Sequence, residues 1–473
     1  MKKNTLSNFV FYVIKSLFGV IIPFVSFPLV TRILGAENYG KVAYANSIVN
    51  YFIYFASLGI STYAIREGAK YKDDKEKLGK LTKELFIINS ISAIIAYIGI
   101  ISIVQISIFK EYATLIIVHS IIIIVQTIGF EWVFQCKEEY IYISIRHIIM
   151  QVIGLVILIV FLKDENDYYI YAIYTVFTTA ADLIVNFFFL PKHISFKFKE
   201  KLEIKKHIKP VIMMFSISAI STIFQNIDVT MIGLYLDDKN VGIYNSAVRI
   251  YNIAATIIAS FSTVMFSKSA YLINEEKGKF ISTISNFSQY MFIISVPIAS
   301  GLICCGDLII EILCGKEYAA GGIILQIYGL NIILGSINRI FGHQILIINK
   351  KENIYFIGTL CLCILNTLIN TILIPYFGII TCAISSIAGV ILCDIIIVYY
   401  SRRFVSLKNI FKLLTKPILF VLPFFLVSFI IKMVFHSLFL KLIIIVSICV
   451  IIYMIFILIF YKPEIKKLIS KSI

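Results

Sequence analysis

The sequence has little charge. Only 15% of its 473 residues are Asp, Glu, Lys or Arg, where a soluble chain usually carries about 25%. Acidic residues are the scarcer kind, 27 against 43 basic ones, for a net charge of +16. Long polar stretches are missing too: the two longest, 66–84 and 191–209, are too short to fold as soluble domains. No single segment gathers the lysines into a basic domain, which argues against nucleic acid as a partner. Alternating ten-residue segments are absent, which excludes an outer-membrane barrel. The nine cysteines are an odd number, mostly inside apolar runs, and show neither metal-ligand spacing nor a disulfide framework. They read as small apolar fillers. No nucleophile–base constellation can be assembled, no phosphate-cradling glycine loop precedes a soluble helix, and no Asp-x-Asp cluster falls on the cytoplasmic side. The chain therefore reads as a non-enzyme with no cofactor.

What it has is apolar sequence: 59% hydrophobic residues and a mean hydropathy of +0.92. Runs of about 20 apolar residues, the length that crosses a bilayer core as a helix, recur from end to end. Fourteen spans can be drawn, near 6–30, 42–64, 85–108, 113–134, 143–162, 168–190, 210–235, 241–266, 283–305, 320–348, 354–375, 378–400, 417–435 and 439–461. The first follows Met1-Lys2-Lys3 but runs past Pro28 without a small-residue cleavage site, so it reads as a retained helix. With the N-terminus inside, 31 of the 43 basic residues fall in cytoplasmic segments, eight in outer loops and four within spans. Retention of positive charge on the cytoplasmic side produces that split, and it places both termini in the cytoplasm. The inner loops are also expected to touch anionic membrane lipids.

The stretch "TRILGAENYGKVAYANS" at 31–47 is echoed by "GLYLDDKNVGIYNSAVR" at 233–249, which places Leu34 on Leu236, Asn38 on Asn240, Gly40 on Gly242 and Ala45 on Ala247. Six spans separate the copies, so both enter the membrane in the same sense. The expected architecture is an all-α polytopic membrane protein. Two six-helix lobes in parallel repeat, 1–200 and 201–404, are followed by two additional transmembrane helices and a basic tail, 405–473. Parallel repeats of this kind build transporters with a site between the halves.

Several spans carry polar stripes. In span 8, Asn245, Arg249, Asn252, Thr256, Ser260, Thr263 and Ser267 recur at steps of three and four, on one helix face. Span 7 repeats this with Ser218, Ser221, Gln225 and Asp228, span 2 with Asn46, Asn50, Tyr54, Ser57 and Ser61, and span 6 with Thr175, Thr178, Asp182 and Asn186. Such faces line a water-filled path or glue helices together. Lys15, Arg146, Arg249 and Arg339 also lie within apolar runs, beside Glu131, Asp182, Asp228 and Asp394. Each charge costs on the order of 3 kcal/mol at a helix centre, so each needs a reason. Arginine suits phosphate as a planar fork. Arg249 either binds an anionic substrate or pairs with Asp228. Arg339, with no acid nearby in sequence, is the better ligand candidate. Lys15 and Arg146 lie near enough the cytoplasmic side to snorkel. Substrate contact is thus expected of Arg249, Arg339, Asn245, Asn252, Lys15 and Gln225, and coupling or charge pairing of Asp228, Asp182 and Glu131. The histidines His119, His147 and His343 read as hydrogen-bonded packing residues.

Pro23 and Pro28 ahead of "TRILGAENYGKVAYANS", "IDVTMIGLYLDDKNVGIYNSAVRI" from Ile227 and "EILCGKEYAAGGIILQIYGL" at 311–330 together resemble bacterial polysaccharide flippases of the O-antigen type (Wzx). That family belongs to a superfamily with the MATE drug exporters and the lipid II flippase. The resemblance covers essentially the whole chain, but its motifs are mostly Gly, Tyr and apolar positions, which speak to fold more than to substrate. It implies two lobes around a central cavity, alternating access, and extra C-terminal helices. It also implies transfer of undecaprenyl-pyrophosphate-linked oligosaccharide from the cytoplasmic to the outer leaflet of the bacterial cytoplasmic membrane, with the polysaccharide polymerase machinery as a candidate partner. Two rivals remain: a cation-coupled drug exporter of the same superfamily, and a membrane polysaccharide polymerase, against which the short outer loops argue.

Overall fold

The computed structural model describes residues 2–197, 200–275 and 277–461, and among these there is no β-strand. The helices are α1 (Lys2–Ser57), α2 (Ile60–Gly68), α3 (Lys75–Val104), α4 (Ala113–Gly129), α5 (Glu131–Cys136), α6 (Tyr140–Phe161), α7 (Tyr168–Phe189) and α8 (Lys205–Tyr235). They continue with α9 (Asp238–Glu275), α10 (Lys277–Cys314), α11 (Gly321–Asn338), α12 (Glu352–Phe377), α13 (Ile380–Ser401), α14 (Leu407–Val434) and α15 (Leu438–Phe460). Every one of the fourteen apolar stretches is helical, and the protein is a multi-pass membrane protein. The basic tail beyond 461 and the side chains of Ser218 and Ser267 lie outside the described residues.

Several boundaries differ from those drawn on hydropathy. The segment 66–84 is mostly helix, because Asp74 accepts hydrogen bonds from the backbone N–H of Glu76 (3.1 Å) and Lys77 (3.0 Å) and so starts α3 ten residues before the apolar run. Span 2 is broken where Leu58 (φ 45°) and Gly59 (φ 66°) enter the left-handed region between α1 and α2. Span 4 is broken at Phe130 (φ 42°) between α4 and α5. Span 10 changes from α-helix to a π-helix over Arg339–Ile347, a form that often marks functional positions.

The chain divides into two compact units, Met1–Gly242 and Ile243–Ile473. In the first, α1 runs through the middle of the bundle and packs on α3, α4, α6 and α8, with α7 against α4. A buried core around Leu78, Leu85, Trp132, Phe134 and Ile143 lies at the end that holds α2 and α5. In the second unit α10 packs on α11, α14 and α15, and α12 pairs with α13. Eight of the nine cysteines are buried and all nine are free, as fillers would be.

The two echoed turns meet inside the first unit. Gly35 (φ 69°) breaks α1 at the first copy, and Leu236 ends α8 at the second. A Cβ on Gly40 would lie 1.8 Å from the carbonyl oxygen of Asp238, and one on Gly242 would lie 1.9 Å from that of Ala36. The register that puts Gly40 on Gly242 also puts Ala36 on Asp238. The contact is therefore reciprocal, like that of an isologous interface. Tyr112 at the start of α4 donates to both carboxylate oxygens of Asp238 (2.9 and 3.0 Å). Burial in this turn, opposed by that hydrogen bond and by Lys41, pushes the Asp238 carboxyl up to about 6.

Candidate functional site

The intramembrane charges of the first unit form one network. Lys15 on α1 faces Glu131 on α5 at 3.3 Å. Arg146 on α6 reaches Glu131 at 3.3 Å and Asp182 on α7 at 3.4 Å, and His147 lies 3.2 Å from Asp182. Four helices thus meet through two carboxylates and two cations. Arg146 is only 5% exposed. It does not snorkel, and neither does Lys15: an acid across the bundle is a nearer partner than the headgroups. His147 is likewise a member of this network, with the Asp182 carboxylate as its partner. His119 does pack as expected, with its ring nitrogens 2.9 Å from the Leu115 carbonyl and 3.1 Å from the Thr175 hydroxyl.

Glu131 also borders a cavity of about 410 Å³ within the first unit, a size in the usual range for ligand sites of about 300–1,000 Å³. Both helix breaks open onto it, at Gly59–Ile60 and at Phe130. Its polar wall includes Asn89, Gln126, Thr127 and Gln135, and its apolar wall includes Tyr54, Phe86 and Trp132. Gln135 donates to Glu131 at 3.2 Å. The Asn89 side-chain oxygen is buried and has no partner among the described residues. Sequence reasoning singled out four of its lining residues, Tyr54, Ser57, Ser61 and Glu131, but not the amides of Asn89, Gln126 and Gln135 that join them. Its signal was amides in apolar runs, on helices far apart in the chain.

The stripe on α9 lies largely uncovered. Asn252, Thr256, Ser260 and Thr263 are exposed, and the three hydroxyls donate to carbonyls one turn back on their own helix at 2.7–3.0 Å. They do not glue this helix to a neighbour. Asn245 and Arg249 above them are half-buried. On α8, Gln225 is exposed and Asp228 is buried. The stripe of span 2 does reach a neighbouring helix, through Asn50 donating to Asn226 at 3.0 Å.

In the second unit Arg339 opens the π-helix with Tyr251, Tyr355 and His343 as its ionisable neighbours, and no described carboxylate lies within ion-pair distance of it. The adjacent Asn338 instead holds buried Asp394 at 3.1 Å and accepts from Tyr355 at 3.3 Å. Tyr355 in turn lies 3.2 Å from His343.

Known proteins share this architecture. The structure of the lipid II flippase MurJ in an inward closed conformation aligns over 96% of this chain and 100% of its own, with a TM-score of 0.74 at 18% identity. An inward-facing MATE-family multidrug transporter aligns over 85% of this chain and 98% of its own, with a TM-score of 0.61 at 13% identity. By sequence, a candidate O-antigen transporter of Shigella dysenteriae is 24% identical over 422 residues, 86% of this chain and all of its own length. The model of the family described as polysaccharide biosynthesis protein matches residues 3–266. That is more than half of the chain, and the protein belongs to this family.

Proposed function

We propose that the protein is a flippase that moves an undecaprenyl-pyrophosphate-linked oligosaccharide unit from the cytoplasmic to the outer leaflet of the cytoplasmic membrane by alternating access. Family membership supports lipid-linked oligosaccharide as the substrate class, as does full-length similarity to a candidate O-antigen transporter. The observation that carries the reading is the uncovered polar face of α9. A membrane helix that exposes Asn252, Thr256, Ser260 and Thr263 borders water rather than lipid. Arg249 at the head of that face and Arg339 are the groups assigned to the anionic pyrophosphate.

The exporter reading is less well supported, because Glu131 and Asp182 are already engaged by Lys15, Arg146 and His147. Deletion of the gene separates the two. The flippase reading expects loss of surface polysaccharide and accumulation of the lipid-linked unit in the cytoplasmic leaflet. Normal polysaccharide with increased drug sensitivity would instead establish the exporter.

A further inference from the structure

We propose that the 410 Å³ cavity of the first unit binds the glycan part of the substrate, through its hydroxyl groups, and does not bind the pyrophosphate. This rests on the flippase reading and deepens it.

Charge is the first argument. Among the described residues the only charged one lining the cavity is Glu131, and Lys15 and Arg146 already balance it. A pyrophosphate placed here would meet a carboxylate and no cation of the lining, which like-charge repulsion disfavours. A cationic ligand would have to compete with two positive side chains for the same carboxylate.

Hydrogen-bond direction is the second. Gln126 and Gln135 bring side-chain amides to the lining, each with an acceptor oxygen and donor N–H groups. An ionised phosphate offers acceptors only. A sugar hydroxyl both donates and accepts, so it matches both ends of the Gln126 and Gln135 amides, whereas a phosphate leaves their oxygens unpaired. Phe86 and Trp132 add aromatic rings to the same lining, apolar partners for the C–H groups of a sugar.

The backbone supplies a third argument. Two helices break at this one place, at Leu58–Gly59 and at Phe130. Broken helices in a membrane protein are tolerated where the freed groups line a wet cavity, and in transporters such breaks mark the binding site. The breaks lie 23 residues along α1 from the Gly35 turn, about 35 Å at 1.5 Å per residue. With the Gly35 turn on the outer side, the cavity sits where a cytoplasmic headgroup first meets the protein.

Trp132 is the only tryptophan in the chain, so emission excited beyond the absorption of the 28 tyrosines reports on the surroundings of this one lining residue. The experiment uses the full chain in lipid nanodiscs and three probes: the oligosaccharide unit released by mild acid from the source cell's own surface polysaccharide, inorganic pyrophosphate, and tetraphenylphosphonium as an apolar cation. Direct binding is measured by calorimetry in parallel. The glycan is expected to bind and to change the emission saturably, and Gln126→Ala, at a side chain with no hydrogen bond among the described residues, should weaken binding at least tenfold. The assignment is overturned if the glycan does not bind, if Gln126→Ala binds it as well as the parent does, or if pyrophosphate or the cation alone perturbs Trp132. The deletion strain tells the two failures apart. Lost polysaccharide with no glycan binding sinks only the cavity assignment, whereas unaffected polysaccharide sinks the flippase reading itself.

Discussion

Arg146 and Arg339 are both arginines inside the membrane, and their surroundings differ. Arg146 holds two carboxylates and is 5% exposed. Removing one partner of a buried ionic network leaves uncompensated charge at a cost of about 3–5 kcal/mol. Arg146→Ala should therefore lower the amount of folded protein in the membrane, and adding Asp182→Asn should restore part of it, as read by quantitative blotting of membrane fractions. Among the described residues no carboxylate pairs with Arg339, so none would be stranded. Arg339→Ala should leave protein abundance near that of the parent while surface polysaccharide falls, and a drop in abundance equal to that of Arg146→Ala would assign Arg339 to the fold. The sequence displayed all of these charges in apolar runs. It could not display that Lys15 meets Glu131, 116 positions away, because pairing across a bundle depends on which helix faces touch.

Among the elements, α8 follows the long basic linker and is held at its first turns by a buried relay. Tyr63 on α2 lies 2.7 Å from His207, His207 lies 2.8 Å from Glu84 on α3, and the other oxygen of Glu84 accepts from the Glu203 backbone N–H at 2.6 Å. Nearby, the Ser195 N–H donates to the Lys75 carbonyl at 2.9 Å. Glu84→Ala opens this clasp and leaves His207 and the Glu203 N–H without their acceptor, a loss of about 3 kcal/mol. The expected result is faster tryptic cleavage within 191–209 in inside-out membranes, with cleavage elsewhere unchanged. Equal cleavage rates would mean that the relay does not restrain the linker. Helices such as α12 and α13 were legible from their apolar runs alone, since length and hydropathy suffice to place a membrane helix. The breaks at Leu58 and Phe130 were not. A left-handed backbone at Leu or Phe is strained locally, and it is imposed by packing that has no local signature.

At the scale of the whole molecule, the 31-to-8 division of basic residues carries an orientation that can be tested. In a background without native cysteines, single cysteines at 73, 200 and 408 should resist an impermeant thiol reagent in intact cells, and those at 165 and 239 should react. All five native positions are exposed, so failure to react reports the side of the membrane and not burial. Labelling at 200 with none at 239 would invert the topology. The reciprocal approach of Gly40 and Gly242 has a genetic consequence. A bulky substitution in a core can be relieved by trimming the side chain it strikes, but here each glycine faces a backbone carbonyl, which every amino acid carries. Gly40→Ala should therefore abolish surface polysaccharide, and a selection for its return should yield no revertants altered at residue 238. Recovery would have to come from backbone shifts elsewhere or from restoration of the glycine itself. A suppressor at 238 that retains the alanine substitution would show that a side chain, and not the chain path, keeps the two turns in contact.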